Sequence, residues 1–199
     1  MKLRACILFI ACITATAPLI RAAQDDGVDS GTQPSCVDAT KQTTNAMLAR
    51  DWPQLREQAQ RMLQACGNKA DSTTRASAYK AIASADRALK LPTEALAAAN
   101  ACIGASYDDA GCHIERAQAL LLLDQRDEAR ASLVTAEHVA QSGLDAAAKS
   151  LDEAGSDAER DLATSRLDIS RAEKNLATQL REEDFPEKPP PAATGPQSK

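Results

Sequence analysis

Two stretches of this sequence share one pattern at a spacing of 34 residues: ASAYKAIASADRALKLPTEALAAANACI at 76–103 and AGCHIERAQALLLLDQRDEARASLVTAE at 110–137. Ala83 of the first stretch recurs as Ala117 in the second, and Leu89 recurs as Leu123. A fixed period of this size is typical of stacked helical hairpins, in which each pair of helices buries its apolar face only against neighbouring pairs. The sequence therefore predicts an all-α solenoid.

Start and stop signals predict three helix pairs within residues 36–142. Ser35 can cap a first helix that ends near Ala49, and Pro53 suits the first turn of a second helix that ends before Gly67. Asp71 or Ser72 can cap the third helix, and Pro92 opens the fourth. The third pair is expected near 110–123 and 126–141, with a break at Ser142-Gly143.

The pattern resembles the tetratricopeptide repeat family. The paired small residues of that family fall on Ala83 with Ala95 and on Ala117 with Ala129. Residues 36–63 fit more weakly, at an offset of 40, and most of the family's aromatic positions hold Ala or Leu. The chain is thus identified as an exported, bacterial-type member with degenerate repeats, and an unrelated α-solenoid is the alternative.

The resemblance implies a protein-binding or peptide-binding surface along the first helix of each pair. Aligned on the family, the residues that face the binding groove are Thr40, Thr44, Lys80, Ser84, Arg87, Ile114 and Gln118. Lys80 and Arg87 are seven residues apart and share a helical face, where they can hold an acidic side chain or a terminal carboxylate. The alternative is that both are ordinary solvated charges.

Residues 143–183 are predicted to form a long, charged, amphipathic helix with a possible kink near residue 155, where Ser156 and Glu159 fit a capping box. Its apolar and small residues follow a heptad seam: Leu144, Ala148, Leu151, Gly155, Ala158, Leu162, Ser165, Ile169, Ala172 and Leu176. The helix either covers the end of the repeat stack or joins two copies as a coiled coil over residues 144–180. Residues 184–199 are rich in proline and are expected to be disordered.

The first 23 residues have the layout of a secretory signal peptide: Lys2 and Arg4, an apolar run, then Ala22-Ala23 as cleavage sites. Residues 24–35 read as a flexible leader. Without the signal segment the chain carries 20 basic and 28 acidic residues, a net charge of −8. An acidic chain with few aromatic residues is a poor partner for nucleic acid. We expect a periplasmic or secreted protein without a transmembrane anchor after cleavage.

Four cysteines remain after the signal segment, and an oxidising compartment favours their pairing. Cys36 begins one predicted helix and Cys66 ends the next, so an antiparallel hairpin brings them together. Cys102 and Cys112 flank the connection between two helices. We therefore predict the bridges Cys36–Cys66 and Cys102–Cys112 among the three possible pairings. A metal or redox site is the disfavoured alternative, because the sequence contains no C-x-x-C motif.

The sequence offers no catalytic constellation. Its two histidines, His113 and His138, lie on different predicted helices without a neighbouring nucleophile, and no glycine-rich phosphate loop is present. We expect neither enzyme activity nor a cofactor. The leading hypothesis is a non-enzymatic scaffold that binds a protein or peptide. The alternative is a structural protein that self-associates through its C-terminal heptad helix.

Overall fold

The computed structural model describes residues 35–67 and 70–186, which fold into seven α-helices. The helices are α1 (Cys36–Ala49), α2 (Trp52–Cys66), α3 (Ser72–Ala88), α4 (Pro92–Ala105), α5 (Ala110–Leu122), α6 (Arg126–Asp152) and α7 (Asp157–Asp184). The signal segment (1–23), leader residues 24–34 and tail residues 187–199 lie outside this description. None of the helices described is both long and apolar enough to cross a bilayer.

Polar side chains set most of the helix starts. Five residues each accept a hydrogen bond from a backbone N–H of the first helical turn, which satisfies an otherwise unpaired donor. They are Ser35, Asp51, Asp71, Asp109 and Ser156. Ser156 completes the predicted capping box with Glu159. Proline lies in the first turn of α2 and of α4, where its missing N–H costs nothing.

The three turns within the helix pairs repeat at the level of the backbone. Arg50, Lys90 and Asp124 have positive φ angles of 54°, 62° and 59°, and they are 40 and 34 residues apart, the offsets seen in the sequence. After each one, the next amide donates to the carbonyl five residues earlier, at 3.1, 2.8 and 2.9 Å. This bond ends each first helix with the same reversal of the chain.

The helices pack in sequence order. Each helix contacts the next one along the chain, and α1, α3, α5 and α7 form a second row of contacts in which each touches its neighbour. The predicted small pairs, Ala83 with Ala95 and Ala117 with Ala129, are all buried. Small side chains at these positions let the paired helices approach closely.

Both disulfides pair the cysteines that the helix map predicts. Cys36 and Cys66 have Cα atoms 4.7 Å apart, and Cys102 and Cys112 have Cα atoms 5.5 Å apart. The first bridge joins the beginning of α1 to the end of α2, which requires the two helices to be antiparallel. The second bridge spans the connection between α4 and α5.

The C-terminal part differs from the sequence prediction at Ser142-Gly143. The predicted break there was wrong, because α6 runs without interruption through Asp152. The break falls instead at 153–156, so residues 143–183 contribute the end of α6 and most of α7. A Cβ atom on Gly143 would lie 2.6 Å from Ser170 Oγ of α7. Glycine is placed here because α6 and α7 approach closely at this point.

The α6–α7 hairpin extends past the beginning of α5. Ala110, the first residue of α5, packs against Val139 and Ala140, so residues 141–152 of α6 continue beyond it. At the other end of the hairpin α7 reaches Asp184, and the guanidinium of Arg126 lies 5.0 Å from the Phe185 ring centroid. Residues 184–186, which were expected to be part of the disordered tail, are therefore ordered.

Candidate functional site

Lys80 of α3 is the centre of an ionic cluster. Its ammonium donates to both carboxylate oxygens of Asp109, at 3.0 and 2.9 Å, and lies 4.0 Å from Glu173 Oε1 on α7. Gly111 lies beside them, and a Cβ atom there would be 2.9 Å from Lys80 Cδ and 3.0 Å from Glu173 Oε1. Three helices thus converge on one cation.

Arg87, about two helical turns further along α3, also meets an acidic group of its own chain. Its Nε donates to Glu115 Oε2 of α5 at 3.1 Å. The side chain of Arg87 is 32 % exposed and that of Glu115 is 13 % exposed. The acidic partners expected for Lys80 and Arg87 are therefore present within the chain, so an external carboxylate would have to compete with them.

The other residues predicted to face the groove are not gathered at one place. Thr40 and Thr44 are exposed on α1, and their hydroxyls donate to carbonyls of that same helix at 2.8 and 3.1 Å. Ser84 and Gln118 are half-buried. Ile114 is 4 % exposed, and Ala177 and Leu180 of α7 pack against it. Ile114 therefore belongs to the core beneath α7.

An open cavity of about 610 Å³ lies between α3, the α4–α5 connection and the α6–α7 hairpin. We call it the groove. Its principal polar lining residues are Thr73, Ser77 and Lys80 from α3, Ser106, Asp108 and Asp109 from the connection, and Arg166, Ser170 and Glu173 from α7. Of the seven residues predicted from the sequence, only Lys80 lines it.

The residues of α6 and α7 in the groove were missed because the chain was expected to break at residues 142–143. With that break, nothing places the later helix beside α3. The one available signal was the capping box at Ser156 and Glu159, since a capped helix start there implies a reversal of the chain just before it. Two antiparallel helices joined at 153–156 bring Ser170 and Glu173 back toward α5.

Burial sets the protonation chemistry of the groove. The pKa of the Glu173 carboxyl is raised, mainly because the group is withdrawn from water. The Lys80 ammonium opposes this shift, the Asp109 carboxylate adds to it, and the hydrogen bond from the Gly111 N–H opposes it. Glu173 is thus a partly desolvated acid in a cavity that is also lined by Ala146, Ala147 and Ile169.

The histidines occupy separate environments. His113 is 4 % exposed, its Nε2 lies 2.9 Å from the Tyr107 carbonyl oxygen, and its ring packs edge-on against Tyr107. His138 is exposed on α6. Across residues 35–67 and 70–186, no three His, Cys, Asp or Glu side chains are grouped as metal ligands.

These features define an all-α protein of sequentially stacked helix pairs. No family model matches its sequence, and no curated protein matches it. Among solved structures, it is similar to the TPR2B domain of yeast Sti1, from a structure titled as the complex of that domain with pHsp70. The TM-score is 0.47 at 20 % identity, over 73 % of this chain and 98 % of that chain.

Proposed function

We propose that this chain is an exported, non-enzymatic scaffold that binds a segment of another protein in the groove. The observation that carries the proposal is the groove itself, a cavity of about 610 Å³ lined by side chains from three parts of the fold. The stacked helix pairs hold these parts in place. The two disulfides fit an oxidising compartment, as does the signal segment predicted from the sequence.

The partner in this proposal is a polypeptide segment with polar and charged side chains. The groove offers cations of Lys80 and Arg166 beside the carboxylates of Asp108, Asp109 and Glu173. Hydroxyl groups of Ser77 and Ser106 add hydrogen-bonding capacity for peptide groups. A carboxylate on the partner competes with Asp109 for Lys80, and this exchange of one ion pair for another makes recognition sensitive to salt.

Site-specific photo-crosslinking tests the position of the binding surface. A photoreactive residue replaces Ser77 in the groove, and in a control protein it replaces Arg130, which is exposed on α6 outside the groove. Both proteins are irradiated with the periplasmic or secreted fraction of the source organism. We expect one discrete adduct at Ser77 that is absent at Arg130. Adducts of equal yield at both sites would contradict binding in the groove.

A pair of charge variants tests whether the cations of α3 contribute to partner binding. Lys80→Ala/Arg87→Ala removes two of the three cations of α3, Lys80 in the groove and Arg87 outside its lining, and Lys90→Ala/Lys149→Ala removes the same charge from two exposed positions outside the groove. We expect only the first variant to reduce capture of the crosslinked partner, while circular dichroism shows the same helix content in both. Equal capture by wild type and by the α3 variant would remove these cations from the binding surface.

A further inference from the structure

A row of large apolar side chains is exposed along α7. Leu162, Ile169 and Leu176 are seven residues apart and are 54 %, 55 % and 42 % exposed. Small, exposed residues alternate with them, namely Ala158, Ser165 and Ala172. We call these six residues the α7 seam. They are the C-terminal part of the heptad pattern found in the sequence.

The α7 seam is largely open to solvent, and its middle residue Ile169 also borders the groove. The helix packs through a different face, on which Ala163 and Ala177 are buried and Ser170 lies against Gly143 of α6. Each of these residues follows a large seam residue by one position, so the packed face is about 100° around the helix from them. The helix does cover α5 and α6, as the capping interpretation predicts, but it packs on them through this other face and leaves the seam exposed.

The position of α7 explains why this face is open. α1, α3 and α5 each pack against the helix that follows them, and α7 continues their row by contacting α5. Within residues 35–67 and 70–186, no helix follows α7 to cover it. The seam is therefore the surface on which a second helix of a fourth pair would pack.

We propose that the α7 seam binds the α7 seam of a second copy of this chain, with the two helices antiparallel about a two-fold axis. In this arrangement Leu162 lies opposite the second copy's Ala172. Ile169 then lies opposite the second copy's Ser165, and Leu176 lies opposite its Ala158. Every layer of the interface pairs one large residue with one small residue, so the seam is complementary in size to its own two-fold image.

A parallel arrangement lacks this complementarity. It places Leu162 opposite Leu162 of the second copy and Ala158 opposite Ala158. Layers of two large residues then hold the helices apart, and layers of two small residues leave voids that lose packing contacts. The alternation of large and small residues thus selects the antiparallel dimer.

The size and charge of the seam make this dimer weak and reversible. Residues 158–176 span about 28 Å of helix at a width of about 10 Å, which gives about 600 Å² for two copies, below the roughly 1,200 Å² of a standard stable interface. Asp168 approaches the second copy's Asp168 near the axis, although each is paired with Arg171 of its own helix at 3.0 Å. Dimerisation should therefore strengthen as salt screens the two carboxylates.

Sedimentation velocity of the disulfide-bonded protein, from low micromolar to near-millimolar concentration, tests the proposal. The test variant is Leu162→Glu/Leu176→Glu. The matched control is Leu48→Glu/Val134→Glu, which changes two large side chains that are 79 % and 51 % exposed on α1 and α6. We expect a reversible monomer–dimer equilibrium for wild type and control, and a monomer at all concentrations for the test variant. A monomeric wild type, or a test variant that associates like wild type, would overturn the proposal.

A distance measurement tests the orientation. Asp157→Cys places a spin label at a fully exposed side chain near the beginning of α7. Two labels are about 30 Å apart in the antiparallel dimer and about 10 Å apart in a parallel one, given a rise of 1.5 Å per residue. The short distance would refute the antiparallel dimer. Neither experiment reads out binding in the groove, so failure here and failure of the scaffold proposal are distinguishable.

Discussion

The two disulfides should contribute unequally to stability, because they close loops of different length. Cys36–Cys66 spans 30 residues and Cys102–Cys112 spans 10. In the chain-entropy description, a cross-link lowers the entropy of the unfolded chain, and the effect grows with the logarithm of loop length. The two bridges therefore offer an internal comparison within one fold.

The loop lengths give the expected magnitudes. A 30-residue loop corresponds to about 3.6 kcal/mol at 25 °C for Cys36–Cys66. A 10-residue loop corresponds to about 2.7 kcal/mol for Cys102–Cys112. The longer bridge should thus stabilise the fold by about 1 kcal/mol more than the shorter one. Each contribution is a large share of the roughly 5–15 kcal/mol that holds a typical domain folded.

Two single-bridge proteins make the test. Cys102→Ala/Cys112→Ala retains the first bridge, and Cys36→Ala/Cys66→Ala retains the second. Urea unfolding of each protein is followed by circular dichroism with and without a reducing agent. Because each protein is compared with itself, the packing lost by the alanine substitutions cancels, and the difference in unfolding free energy reports the cross-link alone.

Equal contributions from the two disulfides would contradict the loop-length explanation. If breaking Cys102–Cys112 costs as much as breaking Cys36–Cys66, closure of the unfolded chain is not the source of the stability. Peptide mapping of the non-reduced wild type is the control for connectivity. A peptide that joins Cys36 to Cys112 would show that the antiparallel arrangement of α1 and α2 is incorrect.

Three further predictions concern single positions. Lys90→Gly should raise the unfolding free energy by about 0.5–1 kcal/mol in urea titration. The positive φ of Lys90 strains a residue that has a Cβ atom, and glycine removes this strain. The gain exceeds the loss that comes from the greater conformational entropy of glycine in the unfolded chain. Glu173→Gln should raise the melting temperature at pH 7 but not below about pH 4. Because the pKa of Glu173 is raised in the folded protein, its contribution to folding stability is fully present when the carboxyl is protonated. That stability is lost as the pH rises through the raised pKa, whereas glutamine stays neutral at both pH values. Gly143→Ala should destabilise the fold by about 1–2 kcal/mol through its contact with Ser170, and adding Ser170→Ala should restore the stability in a double-mutant cycle, since only the Oγ atom is closer than 3.4 Å.

Features encoded over a few residues were predictable from the sequence. Ser35, Asp71 and the Ser156 capping box begin helices because a side-chain oxygen next to an apolar run satisfies backbone donors locally. The repeat offsets predicted equivalent turns, and Lys90 and Asp124 adopt equivalent conformations. The cysteine pairs followed from these helix ends, because the ends of an antiparallel hairpin are neighbours whatever the rest of the fold does.

The packed face of α7 could not be predicted in this way. Periodicity identified Leu162, Ile169 and Leu176 as the apolar side of the helix. The fold instead packs the side that carries Ala163 and Ala177, because small residues let α7 approach α6 and α5 closely. Hydropathy favours burial of the face with Leu162, Ile169 and Leu176. Close packing between helices instead favours burial of the face with Ala163 and Ala177.

Gly143 in α6 is a second position where the local sequence signal and the tertiary packing disagree. Gly143 costs about 1 kcal/mol relative to alanine in a helix, which is why Ser142-Gly143 resembles a helix end. A side chain at this position would collide with Ser170 of α7. The loss of helix stability caused by glycine is therefore smaller than the loss of packing that would follow if α6 and α7 moved apart. Gly111 faces the same constraint from Lys80 and Glu173. Each glycine thus marks a point where α7, or a side chain from it, approaches a neighbouring helix, and the residue that requires it lies far along the chain.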